Sequence, residues 1–233
     1  TGYAVGAHGP ALARSREGRE VRRLAEAAEG ITAVVGLMEE GPAAQLYNSA
    51  VAVRDGQVEH LHRKINLPNY GRLEEGKHFA AGRFLETAPF AGPWRYASLI
   101  CADAWNPGLV HLAATHGATL LLLPISSAVD AVGGGFSNPG GWATALGFYA
   151  MIYGLPVVMA NRVGTERDHA FWGGSRIVGP EGQVLAEAGE GPGLVTADIA
   201  FDAVREARWR LPTVRDANFA LIFREMARLS DNL

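Results

Sequence analysis

YASLICADAWNPGLVHLAATHGATLLLLPI, residues 96–125, states the architecture of this chain most clearly. Tyr96 to Cys101 is a short apolar run, Asn106-Pro107 opens a helical stretch ending near Gly117, and Ala118 to Leu123 is apolar enough for a buried strand. That is a strand–helix–strand unit. Downstream, Gly133, Gly134, Gly135, Asn138, Pro139 and Gly140 crowd a long loop before a helix from Trp142 to Tyr153 and a strand from Pro156 to Asn161. Ser175 to Val178 and Val184 to Glu187 flank the turn Gly179-Pro180-Glu181-Gly182, an extended run follows from Leu194 to Ile199, and two short helices finish the chain. Upstream, Val21, Leu24, Ala25 and Ala28 recur at helical spacing between Ser15 and Glu29, with Gly30 as the stop. Ile31 to Met38 and Tyr47 to Val53 read as strands, and Gln57 to Arg63 as a third that turns at Asp55-Gly56. Hairpins alternating with strand–helix–strand units, without repeat or linker, predict one layered α/β domain over residues 1–233, sheets inside and helices outside.

Composition narrows the partners. Over 233 residues, 48% are hydrophobic and 19% charged, and the formal charge of −3 gives no electrostatic reason to expect nucleic acid or an anionic membrane. The longest apolar stretches fall far short of a bilayer span and the amino terminus lacks a secretory pattern, so a cytoplasmic protein with no membrane partner is expected. The single cysteine makes no intramolecular disulfide and no multi-thiolate metal site, and no His/Asp/Glu cluster, His111 and His116 included, has metal-ligand spacing; no metal and no cofactor are expected.

Cys101 sits where an apolar strand gives way to a helix, which suits a nucleophile, although free cysteine is among the most buried residue types. Lys64 closes the third strand and Glu75 follows in a loop; each alone reads as a solvated surface charge. Trp105 and Trp142 are pocket candidates, though large aromatics are more often core, and Asp103 reads as a helix cap.

Taken together these segments change the reading. Tyr47-Asn48-Ser49-Ala50, Asp55-Gly56, Lys64 with Leu67-Pro68-Asn69-Tyr70, and Glu75 with Phe79 and Gly82 resemble the lysine motif of the nitrilase or carbon–nitrogen hydrolase superfamily. Leu99-Ile100-Cys101-Ala102-Asp103-Ala104-Trp105-Asn106-Pro107 resembles its cysteine elbow, and Asn161, Gly164, Phe171, Gly173-Gly174-Ser175 and Pro180-Glu181-Gly182 match its downstream pattern. The resemblance implies a nitrilase-like four-layer α-β-β-α sandwich and a Glu-Lys-Cys triad with a second glutamate. Cys101 is then the nucleophile, Lys64 the triad lysine and Glu75 the additional glutamate; attack on an amide or nitrile creates negative charge that Lys64 and the backbone N–H of Ala102 are placed to stabilise. It also implies that the first strand and the general-base glutamate lie upstream of Thr1-Gly2-Tyr3; Glu39 and Glu40 have no spacing that puts either in that role.

The expected activity is thiol-dependent hydrolysis of a small-molecule amide, carbamoyl or nitrile substrate, foremost as an amidase or carbamoyl-amide hydrolase. Alternatives are a true nitrilase, a glutaminase component, to which the Leu67–Tyr70 and Cys101–Trp105 stretches are similar, or a catalytically silent scaffold relative. Residues 1–233 assayed without the base glutamate are expected to be nearly inactive. The last helix, with Phe219, Leu221, Ile222, Met226 and Leu229, offers apolar surface for a homo-oligomer.

Overall fold

The computed structural model describes Tyr3, Val5 and residues 8–231; Thr1 and Gly2 lie outside the described residues. Helices α1 (Gly9–Leu12) and α2 (Arg19–Ala27) precede strands β1 (Ala33–Glu40), β2 (Leu46–Arg54) and β3 (Gln57–Arg63). Next come β4 (Ala88–Pro89), β5 (Arg95–Ser98), a 3-10 turn over Cys101–Trp105, α3 (Pro107–Thr115), β6 (Leu120–Ile125), α4 (Asn138–Tyr153) and β7 (Val157–Asn161). The chain continues through β8 (Val163–Glu166), β9 (His169–Trp172), β10 (Arg176–Val178), β11 (Val184–Glu187), α5 (Phe201–Arg210) and α6 (Phe219–Ser230).

The strands form a three-stranded sheet β1-β2-β3, a six-stranded sheet β11-β10-β7-β6-β5-β4 and the ribbon β8-β9. Strands β5, β6 and β7 are parallel, with α3 and α4 as the crossovers that parallel neighbours require. The first sheet is a pair of antiparallel hairpins, its second turn made by Asp55 and Gly56 at φ +45° and +78°, the two positive values a two-residue hairpin turn needs.

Strand alternation builds the layers. In β2, Val51 and Val53 pack with Val21, Ala25 and Ala28 of the α2 segment, whereas Ala52 between them packs with Ala88, Tyr96, Leu120 and Leu122 of the other sheet. In β6, Leu121, Leu123 and Ile125 turn the opposite way, into Val110, Ala113, Trp142 and Leu146 of α3 and α4. Successive side chains point to opposite faces of a strand, so each sheet meets helix on one face and sheet on the other. The result is a nitrilase-like four-layer α-β-β-α sandwich. Fully buried Leu121, Leu123, Leu146 and Leu155 each contribute roughly 2 kcal/mol by leaving water, which makes the helix-backed face of the larger sheet the heaviest part of the core.

Three local expectations change. The helix expected from Trp142 begins at Asn138, because Ser137 caps it by accepting from the N–H of Gly140 and Pro139 occupies its first turn. The run Leu194–Ile199 joins no ladder among the described residues, since apolar alternation makes a strand only where an edge receives it. The β8-β9 ribbon was not anticipated: it turns at Arg167 and Asp168, with Arg167 at φ +53°, and Arg-Asp carries none of the Asn-Gly chemistry that announces a tight turn.

Candidate active site

Lys64 leaves β3 pinned on both sides. Its N–H donates to the carbonyl of Asn48 (2.8 Å) and its carbonyl accepts from the N–H of Gly82 (2.7 Å). Gly82 fits because a Cβ there would lie 2.1 Å from the Arg63 carbonyl oxygen. The side chain is 1% exposed, and Nζ donates to both oxygens of Glu75 at 2.8 and 2.7 Å. Glu75 returns to that position because its loop is tied to itself. The Glu75 N–H donates to the Pro68 carbonyl, and Asn69 Oδ1 accepts from the N–H of Gly76. The solvated-charge reading of each residue therefore fails: they form a buried pair.

Cys101 begins the 3-10 turn after β5 with φ +47°, a left-handed conformation that an L-residue adopts only where its surroundings impose it. A sharp strand-to-helix elbow of this kind lifts a nucleophile out of the sheet. Cys101, Lys64 and Glu75 line one cavity of about 210 Å³ with Tyr3, Asn48 and Ser126. Burial pushes the Cys101 thiol above its usual range; the Lys64 charge and a hydrogen bond from the Ser126 N–H work against that rise, while Glu75 and Asp103 add to it. Beside it a small recess is lined by Pro68, Tyr70, Leu73, Ala102, Trp105 and Val132, so Ala102 and Trp105 adjoin the thiol. Trp142 does not line either space: it is fully buried behind Trp105, ring centroids 4.5 Å apart, and its Nε1 donates to Ser127 Oγ. The core alternative holds for that residue.

A larger groove, about 460 Å³, runs along the outer edge of β3 past Val58, His60, Arg83 and Phe84, and includes none of Cys101, Lys64 or Glu75. Size alone would choose the wrong place.

Glu39 is buried but engaged, accepting from Arg63 Nε and Nη2 (2.8 and 2.6 Å) and Ser49 Oγ (2.6 Å). Burial raises its carboxyl, and the hydrogen bonds from Arg63 and Ser49 with the Arg63 charge outweigh that and hold it below the usual range, which makes it a poor base. Glu40 is exposed. Among the described residues, Glu75 is the one carboxylate lining the cavity.

Sequence reasoning missed Ser126, and it took Asp103 for a cap of the next helix. Asn106 caps α3 by accepting from the N–H of Gly108, whereas Asp103 is wholly buried and bonded elsewhere. A usable signal existed for Ser126: in open α/β sheets, sites gather beyond the carboxyl ends of parallel strands, and Cys101 and Ser126 follow β5 and β6. Across the loops above the site, Arg72 bridges Asp130 and Asp168.

The sequence model of the carbon-nitrogen hydrolase family matches residues 1–209. The chain belongs to the carbon-nitrogen hydrolase family. It is 31% identical over 157 residues to the glutamine-dependent NAD(+) synthetase of Thermotoga maritima, covering 67% of this chain and 26% of that protein. It is 27% identical over 199 residues to the N-carbamoylputrescine amidase of Solanum lycopersicum, covering 80% of this chain and 65% of that one. The chain thus spans under two thirds of the length of both relatives. The structure of a carbon-nitrogen hydrolase from Helicobacter pylori G27 superposes with a TM-score of 0.77 at 26% identity, over 86% of this chain and 72% of that one. Among the described residues no helix is long and apolar enough to cross a membrane, and no group of three or more His, Cys, Asp and Glu side chains is placed to hold a metal ion.

Proposed function

We propose that this carbon-nitrogen hydrolase is an amidase that cleaves small-molecule amides or carbamoyl amides through a thioester on Cys101. The observation that carries the reading is the elbow itself, a cysteine at φ +47° sharing a cavity with a buried Lys64–Glu75 pair. Cys101 Sγ attacks the carbonyl carbon, and the oxyanion that forms is stabilised by Lys64 Nζ and the Ala102 N–H. Collapse of this intermediate breaks the C–N bond, the amine leaves with the proton that a general base took from the thiol, and water, deprotonated by the same base, then hydrolyses the thioester to the acid and free thiol. Glu75 holds Lys64 in place and has both oxygens committed to it, so the general base is assigned to a residue outside those described.

Tyr70 and Trp105 with Leu73, Ala131 and Val132 give the recess beside Cys101 a largely apolar, uncharged wall, which favours a short neutral acyl group. A glutaminase component is the second reading, supported by the 31% identity to the NAD(+) synthetase. Turnover of short aliphatic amides, carbamoyl amines, nitriles and glutamine, measured beside Cys101→Ala, tests both. Hydrolysis that survives the substitution contradicts the thioester route, and glutamine as the preferred substrate selects the second reading. We also assign α6 to a contact between copies, because none of its residues is buried and Phe219, Phe223, Met226 and Leu229 are half or more exposed. Sedimentation as a monomer at micromolar concentration contradicts this.

A further inference from the structure

Lys64 and Cys101 come from different sheets, so something must fix their separation. Asp103 receives four donors: the backbone N–H groups of Ile65 (2.9 Å) and Asn66 (2.7 Å) on Oδ1, and the N–H of Ile100 (3.0 Å) and His62 Nε2 (2.8 Å) on Oδ2. Every donor belongs to the segment that carries Lys64 or to the elbow that carries Cys101. Asp103 is 0% exposed and His62 3%, so water does not compete for these bonds. A carboxylate only accepts, so His62 carries its proton on Nε2. Asn66 Nδ2 adds a weaker link to the Ala102 carbonyl at 3.4 Å.

Resting on the reading that Cys101 and Lys64 act together, we propose that Asp103, backed by His62, is a positioning clamp that sets the elbow against the lysine strand. Neither residue lines the cavity, so neither touches substrate. The clamp also accounts for how Cys101 keeps its left-handed backbone: the Ile100 N–H before it donates to Asp103, whose side chain is in turn held by His62, Ile65 and Asn66 of the lysine segment. Asp103→Asn preserves shape but turns one acceptor into a donor facing backbone N–H groups, so one side of the clamp opens. His62→Phe removes the ring donor and leaves the three backbone donors; His62→Gln restores a donor at similar reach.

The test measures kcat and KM for a short neutral amide, the rate of Cys101 alkylation by iodoacetamide, and Tm for the purified protein and these three variants. Expected are losses in kcat of about a hundredfold for Asp103→Asn and about tenfold for His62→Phe, the scale for misplacing reacting groups by an ångström or less. KM should stay within about threefold, and alkylation should slow in both because the thiol moves away from Lys64. His62→Gln should return within about threefold of the parent in kcat and alkylation rate. If Asp103 acted on the thiol by charge alone, Asp103→Asn would instead alkylate faster, and that overturns the clamp. So does a folded Asp103→Asn or His62→Phe protein with unchanged kcat and alkylation. Should Asp103→Asn fail to fold, His62→Phe against His62→Gln decides. A parent protein that carries the general base and still turns over no amide refutes the amidase reading, while the alkylation rates judge the clamp in either case.

Discussion

Arg63 and Lys64 are adjacent in sequence, each is held by a buried glutamate, and one of the two pairs meets the thiol. Arg63 joins Glu39, with its side chain 28% exposed and the guanidinium resting over the Tyr47 ring, whereas the Lys64–Glu75 pair is buried, its side chains 1% and 9% exposed, and lines the cavity of Cys101. At the end of β3 the period of two sends consecutive side chains to opposite faces, so a one-residue difference separates an ion pair at the surface of the sheet from one that shares a cavity with Cys101. A buried pair is by itself weak evidence of stabilisation, because desolvation offsets much of the attraction. The Lys64–Glu75 pair is better explained by what it faces.

Substitutions at the two pairs sharpen this contrast. Lys64→Ala should lower kcat by a hundredfold or more, about the scale of losing a preorganised oxyanion donor, with Tm as a control; a raised KM alone would make Lys64 a binding residue. Glu75→Gln should cost roughly 10- to 100-fold in kcat, less than Lys64→Ala, since the amide oxygen still accepts one bond from Nζ. Arg63→Ala should do the opposite: kcat within about fivefold, but stability lower by about 3 kcal/mol in denaturant titration, because it strands the buried Glu39. A collapse of kcat in folded Arg63→Ala would erase the distinction between the pairs.

The smallest effect concerns pH. Burial raises the Cys101 thiol and Lys64 opposes the rise, so iodoacetamide alkylation should have its midpoint above that of a free cysteine, and Lys64→Met should move it higher still. The sign follows from the thiolate being the reactive form: below the midpoint the rate falls with pH. A midpoint at or below that of free cysteine, or one unmoved by Lys64→Met, would separate the lysine from the thiol.

Much of the fold was legible because it rests on local patterns. The apolar runs on either side of Asn106-Pro107, the Asp55-Gly56 turn and the helical spacing of Val21, Ala25 and Ala28 each carry their own physics. What depended on partners was not legible. Leu194–Ile199 has strand composition but joins no ladder among the described residues, and the β8-β9 turn lacks the usual residues. In the site, the strand end that carries Cys101 was legible from the apolar run before it, but Lys64 and Glu75 become a buried pair through a loop closed by Asn69 and Gly76, which residue types alone do not show. Asp103 looked like a cap because its spacing allows one; its partners, Ile65, Asn66 and His62, lie about forty residues away and no local pattern points to them.

The most direct test of the central claim is the mass of the protein during acyl transfer. Mixed with p-nitrophenyl acetate or a short aliphatic amide and quenched with acid, the protein should gain one acyl group on the peptide containing Cys101, and Cys101→Ala should gain none. An acyl group on another residue, or hydrolysis by Cys101→Ala at the parent rate, would contradict a thioester mechanism at this elbow.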